Sequence, residues 1–281
     1  MKPQELQLGD LNLCGVSRAG VETWLRVNPP GLAFDVGRGP QRLAGTGDLF
    51  ISHGHLDHCL GVPYVLSQRS MHRAKGTRVY CPREMRDDLE ALIRAAGRLE
   101  GAKYEYQLTG LEPGQRVDLK GKGKTPYWVE TFRTDHVVPS LGYHLHRGRK
   151  RLREDLVGRP GPELAELRQA GEEITELVHE RALTYCGDTG PGTFDSEPAV
   201  FTSRVLVVEC TFLGEDRSKG ERFKHLHVED LAAHAARFEN EALVLIHLSR
   251  RHRSGELRRE AERLLPEMEG KIHVLLGEGN R

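Results

Sequence analysis

Apolar positions along this chain repeat with two periods, and the predicted elements change where the period changes. Runs that alternate or are apolar throughout predict strands over 21–27 and 32–36, joined by a Pro29-Pro30-Gly31 turn, and a buried strand at Leu49-Phe50-Ile51-Ser52. A helix is expected over 61–71, a strand over 77–81 and a second helix over 82–99. In that second helix Met85, Leu89, Leu92, Ile93, Ala96 and Leu99 recur at helical spacing between charged residues, and Pro82 suits the first turn. Strands follow over 104–108, 116–119, 127–134 and 141–146, with turns at Pro113-Gly114 and from Gly121 to Gly123. The strand pattern resumes over 182–186 and 205–208. A helix over 228–238, a strand over 242–248, a helix over 256–264 and a strand over 272–276 complete it. Strands in this number with interspersed helices predict an α/β (α+β) protein of two sheets flanked by helices.

The pattern lapses from 147 to 173. That segment opens with Arg147, Arg149, Lys150, Arg151 and Arg153, passes through Gly158-Arg159-Pro160-Gly161-Pro162, and holds a short helix over 163–169. It reads as an arm projecting from a single domain that spans 1–281. A chain of 281 residues, 38% hydrophobic and 29% charged, fits a soluble globular protein, with no apolar run of membrane-spanning length and no signal-peptide shape at its start. Five scattered cysteines without a CxxC pair argue for a reducing cytoplasm and against both a disulfide framework and a structural zinc site. Net charge is zero, so any contact with nucleic acid must come from local patches. The arm root is one such patch; Arg250, Arg251, Arg253, Arg258 and Arg259 form a looser one. Taken alone, each reads as solvated basic surface.

The chemistry is concentrated in His53-Gly54-His55-Leu56-Asp57-His58, three imidazoles and a carboxylate within six positions, in the loop that leaves the strand at 49–52. Imidazole and carboxylate are the ligands that zinc and similar divalent metals prefer. Alternation sends His53 and His55 to one side, with Asp57 and His58 facing elsewhere, so one loop can feed two ions. A two-metal centre needs about four more ligands. His136 after the strand at 127–134, Asp188 in Gly187-Asp188-Thr189-Gly190, and His247 at the end of Leu243-Val244-Leu245-Ile246 stand where a sheet would hold them rigidly.

These motifs resemble the metallo-β-lactamase superfamily and, within it, ribonuclease Z (tRNase Z). HxHxDH at 53–58 is similar to the superfamily signature. Thr134-Asp135-His136 with Pro139-Ser140-Leu141-Gly142-Tyr143, Gly187-Asp188-Thr189, Glu209-Cys210-Thr211-Phe212, His225-Leu226-His227 and His247-Leu248-Ser249-Arg250-Arg251-His252 resemble the family's later motifs. Arg237-Phe238-Glu239-Asn240 favours the short form also known in plants. The resemblance implies an αββα sandwich with an inserted exosite arm at 147–173. It implies two zinc ions, with manganese or iron as substitutes, held by His53, His55 and His136 on one side, by Asp57, His58 and His247 on the other, and bridged by Asp188. It also implies a homodimer.

The activity it implies is trimming of the 3′ trailer from precursor tRNA by metal-activated hydroxide, leaving a tRNA 3′-hydroxyl. Asp57 would accept a hydrogen bond from the attacking hydroxide. His225, oriented by Glu209, is the expected general acid, with His227 as its competitor. Arg147, Arg149, Lys150, Arg151 and Arg153 would grip the tRNA body. The arm is short for the family, and His252 stands where the family has an aromatic residue. Two rival readings use the same motifs: a small-molecule metallohydrolase (phosphodiesterase, arylsulfatase-like esterase or lactonase), and a silent RNA-binding member. An intact set of seven ligands speaks against the second rival.

Overall fold

The computed structural model describes residues 1–119 and 125–277, and among these residues fourteen strands form two seven-stranded sheets. The first sheet takes, in chain order, β1 (Gln4–Leu8), β2 (Leu11–Arg18), β3 (Glu22–Asn28), β4 (Leu32–Val36), β5 (Asp48–Phe50), β6 (Thr77–Pro82) and β7 (Tyr106–Leu111). The second takes β8 (Arg116–Leu119), β9 (Tyr127–Arg133), β10 (Leu141–Leu152), β11 (Thr175–Tyr185), β12 (Val205–Glu209), β13 (Ala242–Ile246) and β14 (Ile272–Val274). One plan is used twice. In each sheet the first four strands are antiparallel neighbours and the last four are parallel ones.

Parallel pairs need long crossovers, and these carry the helices. α1 (Leu56–Cys59) and α2 (Val62–Met71) lie between β5 and β6, and α3 (Arg86–Glu100) between β6 and β7. α5 (Gly192–Ser196), α6 (Arg217–Phe223), α7 (Val228–Ala232) and α8 (Ser254–Leu264) serve the second sheet. The parallel strands β4, β12 and β13 are buried on both faces, which is why they read as continuous apolar runs. Between the sheets lies a core of Leu13, Phe34, Phe50, Tyr143, Tyr185, Val207 and their neighbours. Two outer clusters place α2 and α3 against the first sheet and α5, α7 and α8 against the second, giving the expected αββα layering.

Several expected boundaries move. β1 and β2 precede the first expected strand: Gln-Glu-Leu-Gln-Leu has only two apolar residues, and Gly15 interrupts the second run. The helix over 82–99 begins as a 3-10 turn at Arg83–Met85 before α3 buries Leu89 and Ile93, and the helix over 228–238 stops at Ala232. The strand over 104–108 lies later, as β7. The Gly121 to Gly123 turn falls outside the described residues. The segment 147–173 keeps strand structure at its root. β10 continues past His146 and pairs with β11 from Arg147↔Glu180 to Leu152↔Thr175, and α4 (Gly161–Gln169) sits in the connection. No helix among the described residues is long and apolar enough to cross a membrane. All five cysteines are buried thiols.

Candidate metal centre

The ends of β5, β9, β11 and β13 meet at one edge of the sandwich, and each delivers donors there. β5 leads into His53 and His55, and α1 then presents Asp57 and His58. The segment after β9 brings His136, that after β11 Asp188, and that after β13 His247, whose φ of +60° is unusual for a non-glycine residue. Gly187 just before Asp188 is required twice over. Its φ is +63°, and a β-carbon there would lie 2.8 Å from Cβ of Ser52.

Among the described residues the donor atoms fall into three groups, His53, His55, His136 with Asp188, then Asp188, Glu209, His225 with His247, and Asp57, His58 with His247, the middle one overlapping the other two; within each group they lie within 4.8 Å of one another. Asp188 reaches both sides. Its Oδ2 is 3.6 Å from Nε2 of His53 and 3.4 Å from Nε2 of His247, and its Oδ1 is 3.3 Å from Nε2 of His58. Asp57 Oδ2 lies 3.5 Å from Nε2 of His247 and accepts from the amide of Gly20 at 2.9 Å. All seven expected ligands therefore sit in one cluster.

Outer hydrogen bonds decide which ring nitrogen of each imidazole carries a lone pair. Nδ1 of His58 donates to Asp35 at 2.8 Å, and Nδ1 of His136 donates to the Lys224 carbonyl at 3.2 Å. Ser52 gives its proton to Asp35, so its Oγ accepts from Nδ1 of His53 at 3.0 Å. Thr211 gives its proton to Glu209, so its Oγ1 accepts from Nδ1 of His247 at 3.1 Å. Each of these four rings thus turns Nε2 inward. Nε2 of His53 and Oδ1 of Asp188 are buried without a hydrogen-bond partner. Nε2 atoms of His58 and His247 face each other at 3.3 Å, and Nε2 of His136 faces Nδ1 of His55 at 3.4 Å. Ring nitrogens facing one another so closely are satisfied only by a proton or a cation between them, so the donor set fits divalent metal.

The electrostatics set His58 apart from the other rings. Burial works against charge on it, but Asp188 and Asp35 on either side override burial and hold its pKa well above the usual imidazole value, so a cation binding there would displace a proton. Burial likewise opposes charge on Asp57, yet its hydrogen bond to His247 and the charge of His58 bring its pKa down to about 2. Burial lowers His53, His55 and His136, keeping them neutral as ligands must be.

Asp35, which sequence reasoning missed, is the anchor of this shell. Fully buried and with φ of +53°, it accepts from the amide and hydroxyl of Ser52, from His58, and from the Tyr185 hydroxyl at 2.6 Å. Asp35→Ala is expected to weaken zinc binding by about 10–100-fold, with Asp35→Asn intermediate. A competitive zinc titration giving unchanged affinity for both would remove Asp35 from the positioning of His58.

Beside the donors stands a second couple. Nδ1 of His225 donates to Glu209 at 2.6 Å, and the His225 ring lies 5.2 Å from that of His136 and 5.3 Å from that of His247. Burial lowers the His225 pKa, but the Glu209 carboxylate, by charge and hydrogen bond, carries it up to about 9. Glu209 is itself fixed by the amides of Thr189 and Leu226 and by Thr211. His227 has another occupation: it caps α7 by accepting from the Glu229 amide, and its Nε2 lies 3.1 Å from the Gly214 carbonyl. The cavity over the cluster measures about 340 Å³, is lined by His55, Asp57, Asp188 and His225, and has Val137 and Phe223 half exposed at its mouth. Phe223 was not singled out from the sequence, where it is an isolated aromatic in a charged helix.

The arm cations are not in this cluster. Arg147 pairs with Glu180 and Asp10, Lys150 with Glu173, Arg151 with Glu176, and Arg153 with Asp155. Of the five, Arg149 alone has no carboxylate partner among the described residues. The whole segment 147–173 holds seven cations and six carboxylates, so its field is close to neutral.

Comparison with known proteins agrees with this geometry. Residues 33–153 match the Beta-lactamase superfamily domain. The chain is 30% identical to tRNase Z TRZ1 of Arabidopsis thaliana, over 98% of this chain and 98% of that protein. Its fold is similar to the metallo-beta-lactamase fold protein YhfI from Bacillus subtilis, at a TM-score of 0.62 and 15% identity over 93% of this chain and 94% of that one. It is also similar to the short form of human tRNase Z, at a TM-score of 0.58 and 19% identity over 94% and 95% of the two chains.

Proposed function

Because the chain belongs to the ribonuclease Z (tRNase Z) family of metal-dependent hydrolases in the metallo-β-lactamase superfamily, we propose that it is a di-zinc endoribonuclease that cuts the 3′ trailer from precursor tRNA. The observation that carries the choice of substrate is the His225–Glu209 couple, 2.6 Å apart beside the metal donors. A ribose 3′-oxygen is a poor leaving group unless protonated, whereas an activated ester or lactone needs no such acid.

His53, His55 and His136 would hold one ion, Asp57, His58 and His247 the other, with Asp188 between them. A pair of dications there would polarise the phosphoryl group and lower the pKa of an attacking water. The protein's own groups do the rest. Asp57, a carboxylate at every working pH, would accept a hydrogen bond from the attacking water. His225 gives Nδ1–H to Glu209 and so offers the proton on Nε2 to the departing 3′-oxygen. Phe223, half exposed at the cavity mouth, is placed to contact a base, a sequence-tolerant interaction. The test is incubation of the zinc-loaded protein with a 3′-extended precursor tRNA and mapping of both product ends. A tRNA 3′-hydroxyl and a trailer 5′-phosphate are expected; no cleavage, with hydrolysis of simple diesters intact, would overturn the substrate.

One observation favours a second reading, a phosphodiesterase of small substrates: the pairing of four of the five arm cations with carboxylates of the same molecule. Those pairs reduce what the arm can contribute to an RNA grip. Neutralising Arg147, Arg149, Lys150, Arg151 and Arg153 together is expected to lower the salt dependence of tRNA binding by about one phosphate contact, attributable to Arg149. A fall of about four or five in the slope of log affinity against log salt would mean that the pairs open to receive RNA.

A further inference from the structure

Arg18 is a buried cation without an anion. It closes β2 with 6% of its surface exposed, its Nη1 has no hydrogen-bond partner, and its Nη2 donates to the His252 carbonyl at 2.7 Å. No carboxylate pairs with it among the described residues. The charge that does act on it is another cation: burial first and the Arg250 guanidinium second hold its pKa below the usual arginine value. Arg250 is exposed and has no ion pair among the described residues, whereas its neighbour Arg251 is engaged by Asp216 at 3.7 Å. Folded proteins rarely leave a buried charge unpaired, because its lost hydration is not repaid. Arg250 stands between Leu248, which Arg18 bridges, and His252, whose carbonyl Arg18 holds, so a second like charge is set close to the first. An anion shared by both guanidiniums would relieve both penalties, and a phosphate matches their planar donor forks.

The position of the pair indicates which phosphate. Arg18 bridges Leu248, the residue after the donor His247, and the amide of Ala19 donates to the Leu248 carbonyl at 3.4 Å. The next amide, of Gly20, donates to the donor Asp57 at 2.9 Å. Ala19, Gly20 and Ser249 line the cavity over the metal donors. The two arginines are therefore one residue removed, along two different segments, from the wall of the cleavage site.

We propose that Arg18 and Arg250 form a phosphate subsite at the rim of the cavity that holds a phosphodiester next to the one being cut. This rests on the reading of the substrate as an RNA chain, since a small diester has no second phosphate to offer.

The test compares UpU, with one phosphodiester, and UpUpU, with two, as inhibitors of bis(p-nitrophenyl) phosphate hydrolysis. The wild type is expected to bind UpUpU about tenfold more tightly, the effect of one extra set of charge-assisted hydrogen bonds. In Arg250→Ala and in Arg18→Met that ratio is expected to fall to about two, the advantage of a second binding register alone. Reading a ratio cancels any loss common to both inhibitors, and the exposed Arg250 keeps the test valid even if the buried Arg18 variant folds poorly. A wild-type ratio near one, or a full ratio in Arg250→Ala, overturns the subsite. Inorganic phosphate as a third inhibitor distinguishes the source: if its binding alone weakens in Arg250→Ala, the pair holds free phosphate and the assignment to a chain falls. A protein that cuts no precursor tRNA yet prefers UpUpU through Arg250 upholds the subsite and overturns the tRNA reading instead.

Discussion

An Asp188→Ala chain is expected to lose both metal uptake and hydrolysis. Asp188 is buried and stands between His53 on one side and His58 and His247 on the other, at 3.3 to 3.6 Å. Its carboxylate reaches donors of both sides, so its removal is expected to leave two incomplete sites rather than one. The loss is also electrostatic. Asp188 is the strongest of the groups that favour positive charge on His58, so without it the pocket favours a cation less. Elemental analysis of the purified variant is expected to show well under one zinc per chain, against an expected content of about two in the wild type. Hydrolysis of precursor tRNA and of bis(p-nitrophenyl) phosphate should fall together by at least about 10⁴-fold. Two zincs retained in the variant would defeat the assignment of Asp188 as the shared ligand. Asp188→Asn separates charge from shape, and should lie close to the alanine variant because a neutral amide does not balance two dications.

His225→Ala is expected to do the opposite: keep its metal and lose rate selectively. Precursor tRNA cleavage should fall by about 10²–10⁴-fold, the usual contribution of a positioned general acid. Bis(p-nitrophenyl) phosphate, whose leaving group needs no proton, should fall far less. Equal losses on both substrates would assign His225 to binding or folding instead. The pH profile adds a second readout. The folded pKa is raised to about 9, so the acid form is present below that value and is lost as pH rises through it. Dications bound next to the ring push the value back down, and the alkaline limb of kcat therefore lies at or below about pH 9. In His225→Ala that limb should vanish. Glu209→Gln weakens the support for the charged imidazole and should move the limb to lower pH, a shift that a purely structural role for Glu209 would not produce.

Most of the centre was legible because its donors obey local rules. Four of them share one loop, and His136, Asp188 and His247 each follow a buried strand, the same pattern met three times. Asp35 obeys no such rule. It lies inside the apolar strand Leu32-Ala33-Phe34-Asp35-Val36, and its partner Tyr185 comes from the other sheet, 150 positions away. The pairing of the arm cations was not legible for a related reason. Arg147 and Arg151 meet Glu180 and Glu176 only through the register of a hairpin, 33 and 25 positions apart, and no spacing along the chain discloses which carboxylate will stand opposite. The choice between His225 and His227 turned on three-dimensional facts as well: one ring reaches Glu209, and the other closes the first turn of α7. The doubled sheet plan left no repeat in the residues, because a pattern of buried positions can be satisfied by many apolar sequences.

Asp35 has a bearing on time as well as on geometry. Its carboxylate ties β4 of one sheet to Tyr185 of the other and to His58 in between, while His53 and His58 are wholly enclosed. An ion held there would be expected to leave slowly even though His55, Asp57 and Asp188 line the open cavity, because His53 and His58 can move only with the strand ends behind them. The rate at which a chelator empties a loaded centre is then expected to level off as chelator is added, and a rate that keeps rising in proportion to chelator would rule this out.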